Sequence, residues 1–319
     1  MDLELLYKNC VQCPRKCGVN RFENTGFCRE PADLRIAFAG LHFGEEPLIT
    51  VFGGSGTIFF TGCTLRCAFC QNYQISQDGL GRVIDSAEFT DICLKLQVAG
   101  AENINLVTGS HHIPKIAEFL RAARDGGVTV PFCWNSSAYE SVEMLELLKG
   151  LVTIWLPDLK TLDGDLSRGL FAAPDYPASA TAAIRWMIEN NPLDIVEVSK
   201  NGETREKMMS GVIIRHLFMP GKFEQTADVL AWLKENADGR AIISLMNQYT
   251  PIPAKKDKIT QIEDRLVTPQ EDADIQDLIQ AYDFEYLFYQ ELSDDTSWLP
   301  DFTRAQPFSN KLATPVWHC

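Results

Sequence analysis

Gly62-Cys63-Thr64-Leu65-Arg66-Cys67-Ala68-Phe69-Cys70 follows directly on an apolar run at 57–60, and this stretch decides how the rest of the chain is read. Three thiols at CxxxCxxC spacing make an incomplete site. A cubane [4Fe–4S] cluster takes four ligands, one per iron, so a compact trio leaves one iron open to a small molecule. The competing reading is a structural zinc knuckle, which needs a second close pair of cysteines. No such pair stands beside the trio, and the trio falls in a loop after a strand-like run rather than between hairpin turns.

Outward from this loop, apolar runs alternate with amphipathic ones in the βα rhythm of a parallel sheet. Strands are expected at 57–60, 103–108, 129–135, 152–156, 212–218 and 241–246, with helices beginning after Asp85-Ser86 and spanning 114–124, 140–148, 177–190 and 226–236. In the first helix Phe89, Ile92, Cys93, Leu96 and Ala99 share one face, and Gly100 suits its end. Six such units imply a partial, open barrel, whose chemistry sits in loops at the C-terminal ends of the strands. There lie the cysteine trio, Thr108-Gly109-Ser110-His111-His112, Asn135-Ser136-Ser137, Asp158 with Lys160, and Asn247-Gln248, while Arg215-His216 lie within the fifth strand.

Further motifs surround these: Cys13-Pro-Arg-Lys-Cys17-Gly-Val-Asn-Arg21, Gly53-Gly-Ser-Gly-Thr-Ile-Phe-Phe60, Leu156-Pro-Asp-Leu-Lys160, Ala173-Pro-Asp-Tyr-Pro177, Ile214-Arg-His-Leu-Phe-Met-Pro-Gly221 and Leu245-Met-Asn-Gln-Tyr-Thr-Pro251. With the trio they resemble the radical S-adenosylmethionine (SAM) superfamily, and within it an uncharacterised family related to pyruvate formate-lyase activating enzyme. The resemblance implies an α/β fold, a partial (β/α)6 barrel. It implies a [4Fe–4S] cluster at Cys63, Cys67 and Cys70 that reduces SAM, giving methionine and a 5′-deoxyadenosyl radical that abstracts hydrogen. The open iron would take the amino and carboxylate groups of the methionyl part. Thr108, Gly109 and Ser110 stand where the family usually has a Gly-Gly-Glu-Pro motif that meets the amino group. Asp158 and Lys160 match a segment that contacts the methionyl and ribose region, and His216 matches a histidine near the ribose. Asn135 can hydrogen-bond a ribose hydroxyl, since an amide both donates and accepts.

Plainer readings stand beside these. Asp158 and Lys160 can form a structural ion pair, and His216 can be a satisfied core histidine. Cys93 and Cys133 read as core thiols. His111 and His112 read as a polar loop beside the cluster, and Gly53 to Gly56 as a tight turn rather than a phosphate loop. By the same resemblance, the electron donor would be a flavodoxin or ferredoxin and the target a backbone glycine of a partner enzyme. Radical modification of another protein or a small molecule is the alternative within this class. The other class is a non-catalytic iron–sulfur or zinc protein that binds a partner.

A second thiol group, Cys10, Cys13, Cys17 and Cys28, has the spacing CxxCxxxC followed by ten residues and a fourth cysteine. Spacing alone does not separate Cys₄ zinc from a second iron–sulfur cluster, but the segment has little apolar content of its own, so a structural metal such as zinc that orders it is the preferred reading. Residues 1–47 are therefore expected to be a Cys-rich metal-binding extension, 48–284 the barrel, and 285–319 a C-terminal wrapping segment. That last segment holds seven aromatic residues in 35, too many for a disordered tail. It would shield a radical at the barrel mouth or strap an exposed apolar flank.

The net charge of −14 is uneven: 263–301 holds twelve acidic residues against Arg265 and carries −11 of it, which reads as a solvated surface. No basic stripe offers itself to phosphates, which excludes a nucleic-acid partner. No apolar run is long enough to span a bilayer, and the N-terminus lacks the pattern of an export signal. The expectation is a cytoplasmic protein with no membrane partner, its ten cysteines kept reduced.

Overall fold

The computed structural model describes residues 3–252, 261–293, 296 and 298–319. Its strands are β1 (Arg35–His42), β2 (Ser55–Phe60), β3 (Arg82–Val83), β4 (Ile104–Val107), β5 (Phe132–Ser136), β6 (Ile154–Pro157), β7 (Asp194–Lys200), β8 (Glu203–Leu217), β9 (Ile242–Met246), β10 (Leu287–Gln290) and β11 (Ala313–His318). They form one sheet in the order β10-β9-β8-β6-β5-β4-β2-β1-β11. From β2 to β10 every neighbour on this path is parallel. The two outer strands, β10 and β11, do not pair, so the barrel is open.

The parallel strands are apolar on both faces because helices cover one side and the barrel interior the other. Helices Ser86–Val98, Ile113–Asp125, Tyr176–Asn190 and Phe223–Asn236 follow β3, β4, β6 and β8 and pack on the outer face, where Trp134, Trp155, Val212 and Ile214 are buried. Helix Ser86–Val98 starts where Asp85 accepts a hydrogen bond from the Glu88 amide at 2.8 Å. The helix expected over 140–148 is only the turn Val142–Leu145 continued by a tighter one, Glu146–Leu148.

Five further strands enlarge the expected sheet, β3 and β11 by pairing with β1. Residues 35–42, placed by sequence in the cysteine-rich extension, form β1, antiparallel to β2. Strand five begins far earlier than 212 because β7 and β8 make a hairpin across Asn201-Gly202. Both turn residues have positive φ, 54° and 83°, as a two-residue turn joining twisted strands requires. Helix Pro269–Tyr282 leads to β10, a seventh parallel strand.

The interior is stoppered at the N-terminal ends of the parallel strands. His42 at the end of β1 pairs with Ser55 at the start of β2, so 43–50 turn in below the barrel. There Leu48 and Ile49 of the short helix Pro47–Thr50 pack on Cys133, Ile154, Leu156, Ile213 and Ile242, alternate residues of β5, β6, β8 and β9.

The C-terminal segment crosses from one edge of the sheet to the other, since β10 lies beside β9 and β11 lies antiparallel to β1. On the way Phe302 and Phe308 pack on Phe59 of β2, with ring centroids 5.3 and 5.6 Å away. Gln74 ties this segment to the stretch after Cys70, donating to Asp301 at 3.0 Å and accepting from the Phe302 amide at 2.7 Å. Asp294 and Asp295 of the acidic stretch lie outside the described residues. No described helix is long and apolar enough to cross a membrane.

Ile49 is 1% exposed inside the stopper. Ile49→Ala is expected to lower stability by about 3 kcal/mol through the cavity it leaves, read as a shifted urea midpoint with unchanged slope.

Candidate functional site

Strand alternation sets which side chains enter the barrel. Asn105, Cys133, Asn135, Arg215 and Ser244 share the inner face with the residues that meet the stopper, and they bring polar groups into a confined space. Two carboxylates rise from the stopper to meet them. Glu45 lies 3.6 Å from Arg215 and accepts from Asn105 and Asn135 at 3.4 Å, and Glu46 accepts from Ser244 at 2.9 Å.

At the upper end of this group, Arg215 donates to Asp158 at 2.7 and 2.9 Å and to Asn135 at 2.6 Å. Lys160 reaches the other oxygen of Asp158 at 2.7 Å. Burial works to raise the Asp158 carboxyl, but Arg215 and Lys160 outweigh it and hold it below the usual carboxylate range. Burial likewise opposes the charge on Lys160, and Asp158 and Cys67 outweigh it. Asp158 therefore stays anionic and Lys160 cationic.

The backbone under these side chains is pinned residue by residue. The Asp158 amide donates to Ser136 O at 2.9 Å, and Leu159 donates to Arg215 O at 2.9 Å. The Tyr176 hydroxyl donates to Asp158 O at 2.6 Å and accepts from the Lys160 amide at 2.9 Å. His216 Nδ1 donates to Leu159 O at 2.7 Å, leaving Nε2 to accept from Thr226 at 2.9 Å. With Thr226 on an outer helix, His216 faces away from Arg215 and has both ring nitrogens engaged within the protein. Of its two sequence readings, this geometry is that of the satisfied core histidine. Its influence on the mouth runs through the Leu159 carbonyl. Burial lowers its pKa to about 4.

The loop after β4 keeps the shape of a glycine motif without its residues. Thr108 has φ 63°, in the left-handed region that a β-branched residue rarely enters. Its amide donates to Asn135 O at 2.9 Å. At Gly109 a Cβ would come within 2.7 Å of Ile116 and 2.8 Å of the Trp134 ring, so only glycine fits. Ser110 donates to Glu140 at 2.6 Å, and Trp134 donates to the same oxygen at 3.1 Å. Glu140 thus supplies a carboxylate to this loop from the next one, and its second oxygen is buried without a partner in the protein. His111 donates to Thr61 O at 2.7 Å, and His112 lies between Tyr7 and Arg21. These two histidines join the loop to β2 and to the N-terminal extension.

Cys63, Cys67 and Cys70 occupy the loop after β2, half-buried and within electrostatic reach of one another. Cys63 accepts from the Leu65 amide at 3.4 Å, and Cys70 contacts the Ser76 hydroxyl at 3.2 Å. Burial pushes the Cys63 thiol up to about 11 and Cys67 higher still, so a metal bound here displaces protons from neutral thiols. Lys160 and Asp158 are both within electrostatic reach of Cys67. The soft donors of the trio and the charged pair thus meet at one mouth. Among the described residues no three His, Cys, Asp or Glu side chains are close enough to share one metal ion. A cubane, whose thiolates bind separate irons, asks for a wider spread than a single ion does. The trio's donors and placement fit such a cluster. No disulfide joins any of the ten cysteines.

The sequence matches the radical SAM superfamily over residues 57–233, from β2 to within helix Phe223–Asn236. The chain belongs to this superfamily. Its members use a [4Fe–4S] cluster and SAM. An uncharacterized protein of Methanocaldococcus jannaschii is 32% identical over 254 residues, 77% of this chain and 67% of that one. SuiB of Streptococcus suis, in its SAM-bound crystal structure, is 15% identical and superposes with TM-score 0.51 over 73% of this chain and 48% of its own. This radical SAM protein therefore spans about half the length of SuiB, and the likeness is one of fold. A domain of pyruvate formate-lyase activating enzyme from Bacteroides vulgatus is 12% identical over 56% of this chain and 92% of its own, with TM-score 0.39.

The depressed pKa of His216 has a thermodynamic sign. Below the unfolded value of about 6.5 the unfolded chain takes up a proton that the folded protein refuses until about pH 4. Stability therefore falls as pH drops through this window, by about 1.4 kcal/mol per unit for this group. His216→Gln is expected to flatten the dependence by that amount, measured by urea unfolding at pH 5 and 6.

Proposed function

We propose that Cys63, Cys67 and Cys70 hold the cluster, that Thr108, Gly109, Ser110, Asn135, Asp158 and Lys160 hold SAM, and that hydrogen is taken from a protein or peptide. The observation that carries this reading is the meeting of the trio with Asp158 and Lys160 at one end of the strands. A carboxylate and an ammonium beside the thiols suit a zwitterionic methionyl group, because charge-assisted hydrogen bonds are about twice as strong as neutral ones. When bound, the cluster and SAM supply one-electron cleavage and an adenosyl radical.

The chain's own residues bind and orient. Arg215 keeps Asp158 ionised and fixes its plane, and Tyr176 and His216 hold the turn that carries it. Asn135, already a donor to Glu45 and an acceptor from Arg215, stands beside them for a ribose hydroxyl. The stopper and the Phe302–Phe308 cover exclude water from below and from the flank. Resemblance to activating enzymes supports a backbone glycine on a partner enzyme as the target, with a flavodoxin or ferredoxin as electron donor.

After anaerobic reconstitution and dithionite reduction, the enzyme is expected to form 5′-deoxyadenosine from SAM, and Cys63→Ala, Cys67→Ala and Cys70→Ala each to abolish it. An intact reduced cluster with bound SAM and no product would instead mark a non-catalytic binding protein. Asp158→Asn, which keeps the shape and removes the charge, is expected to raise the Kd for SAM at least about tenfold in equilibrium dialysis.

A further inference from the structure

The N-terminal thiols lie against the cluster loop. Cys17 and Cys28 flank Gly26, where a Cβ would come within 3.3 and 3.4 Å of their sulfurs. Cys13 is within electrostatic reach of Cys10, Cys17 and Cys28. This group then abuts the residue that precedes Cys63. At Gly62 a Cβ would stand 2.3 Å from Glu30 Cγ and 2.9 Å from Cys28 O, so only glycine lets the two segments touch.

Two arginines seal the contact. Arg66, between Cys63 and Cys67 in the chain, donates to Phe27 O at 2.5 Å and is in electrostatic reach of both Cys63 and Cys28. Arg15 stacks on Phe27 at 3.9 Å and donates to Thr64 O at 2.9 Å.

A structural metal explains little of this. The extension is held to the barrel by the buried Arg21, which donates to Pro31 O at 2.7 Å, to His111 O at 2.5 Å and to His112 at 2.8 Å. Its own backbone closes with Cys10 and Gly18 bonded to Val19 O and Cys10 O at 3.0 and 2.9 Å. Four thiols near one another suit zinc or an iron–sulfur cluster alike, and it is their place against the cluster loop that distinguishes the two.

The outer face of this group also departs from the rest of the protein. Lys16, Cys17 and Arg29 are exposed, Arg15 and Arg66 are half-buried, and Phe27 is 36% exposed among them. Glu143 lies near Lys16. In a chain of net charge −14, this basic, partly apolar face over a thiol group selects an acidic partner.

We propose that Cys10, Cys13, Cys17 and Cys28 hold a second iron–sulfur cluster, which accepts single electrons from an acidic carrier protein docked at Lys16 and Arg29 and passes them to the cluster at Cys63, Cys67 and Cys70. The carrier is oxidised by one electron. The N-terminal cluster is reduced and reoxidised in turn, and the cluster at Cys63, Cys67 and Cys70 is left reduced by one electron. The direction of transfer rests on the radical reading of the trio; the existence of the N-terminal cluster does not.

The test therefore begins with the Cys63→Ala/Cys67→Ala/Cys70→Ala variant, reconstituted anaerobically with iron and sulfide. Retention of about half the wild-type iron and sulfide, with an electron paramagnetic resonance signal after dithionite reduction, is the expected result. Loss of all iron with one zinc per chain would overturn the proposal. Lys16→Glu/Arg29→Glu in the otherwise intact protein is expected to slow reduction by a reduced plant-type ferredoxin about tenfold and to weaken its salt dependence. Cluster content and dithionite reduction, which need no docking, stay unchanged in that variant. An unaltered ferredoxin rate would overturn the docking face.

Discussion

Asp158 is one carboxylate shared by two cations, Arg215 and Lys160, at the mouth of an interior closed from below. Removing any one of the three leaves the others buried with unbalanced charge, which costs far more than an exposed pair would. The arrangement therefore has to be held as a unit. Glu45 and Glu46 complete the balance from the stopper, and Tyr176 and His216 fix the backbone from outside the barrel. Much of what surrounds the mouth, including residues that never face it, serves to keep that carboxylate ionised and in place.

The six central parallel strands were legible because strands buried on both faces read as continuous apolar runs, and their loop ends fell where barrel chemistry is found. β1 was not, because its sequence lies between a cysteine cluster and a glycine run and its partner is antiparallel. The β7–β8 hairpin carried a readable signal, Asn201-Gly202 between alternating residues, which a search for βα units passes over. β10 is four residues long and identifiable only from its pairing with β9.

At the site, the cysteines were visible from spacing, and Asp158 and Lys160 from their place at a strand end and from the family resemblance. Arg215 and His216 were visible as a pair, and strand alternation requires one to face inward and one outward. Asp158 decides between them, because the carboxylate draws the guanidinium in, and that contact is tertiary. Glu45 and Glu140 had no local signature: nothing in a Glu-Glu-Pro stretch indicates that it turns up into a barrel, and Glu140 gains its meaning from Ser110 on another loop. Thr108 is instructive in the other direction. The residue departs from the glycine usual at that place, yet the backbone keeps the positive φ that a glycine would have allowed.

The Leu48–Ile49 stopper makes the interior single-ended. Whatever occupies the deep end enters and leaves by the strand-end mouth, so traffic is stacked last in, first out. If SAM lies against Asp158 and Lys160 as proposed, a partner protein would arrive above it and would have to lift away before the fragments beneath could be exchanged. The pace of successive turnovers would then depend on the partner's departure as well as on bond cleavage, through eight residues on the side of the barrel away from the chemistry.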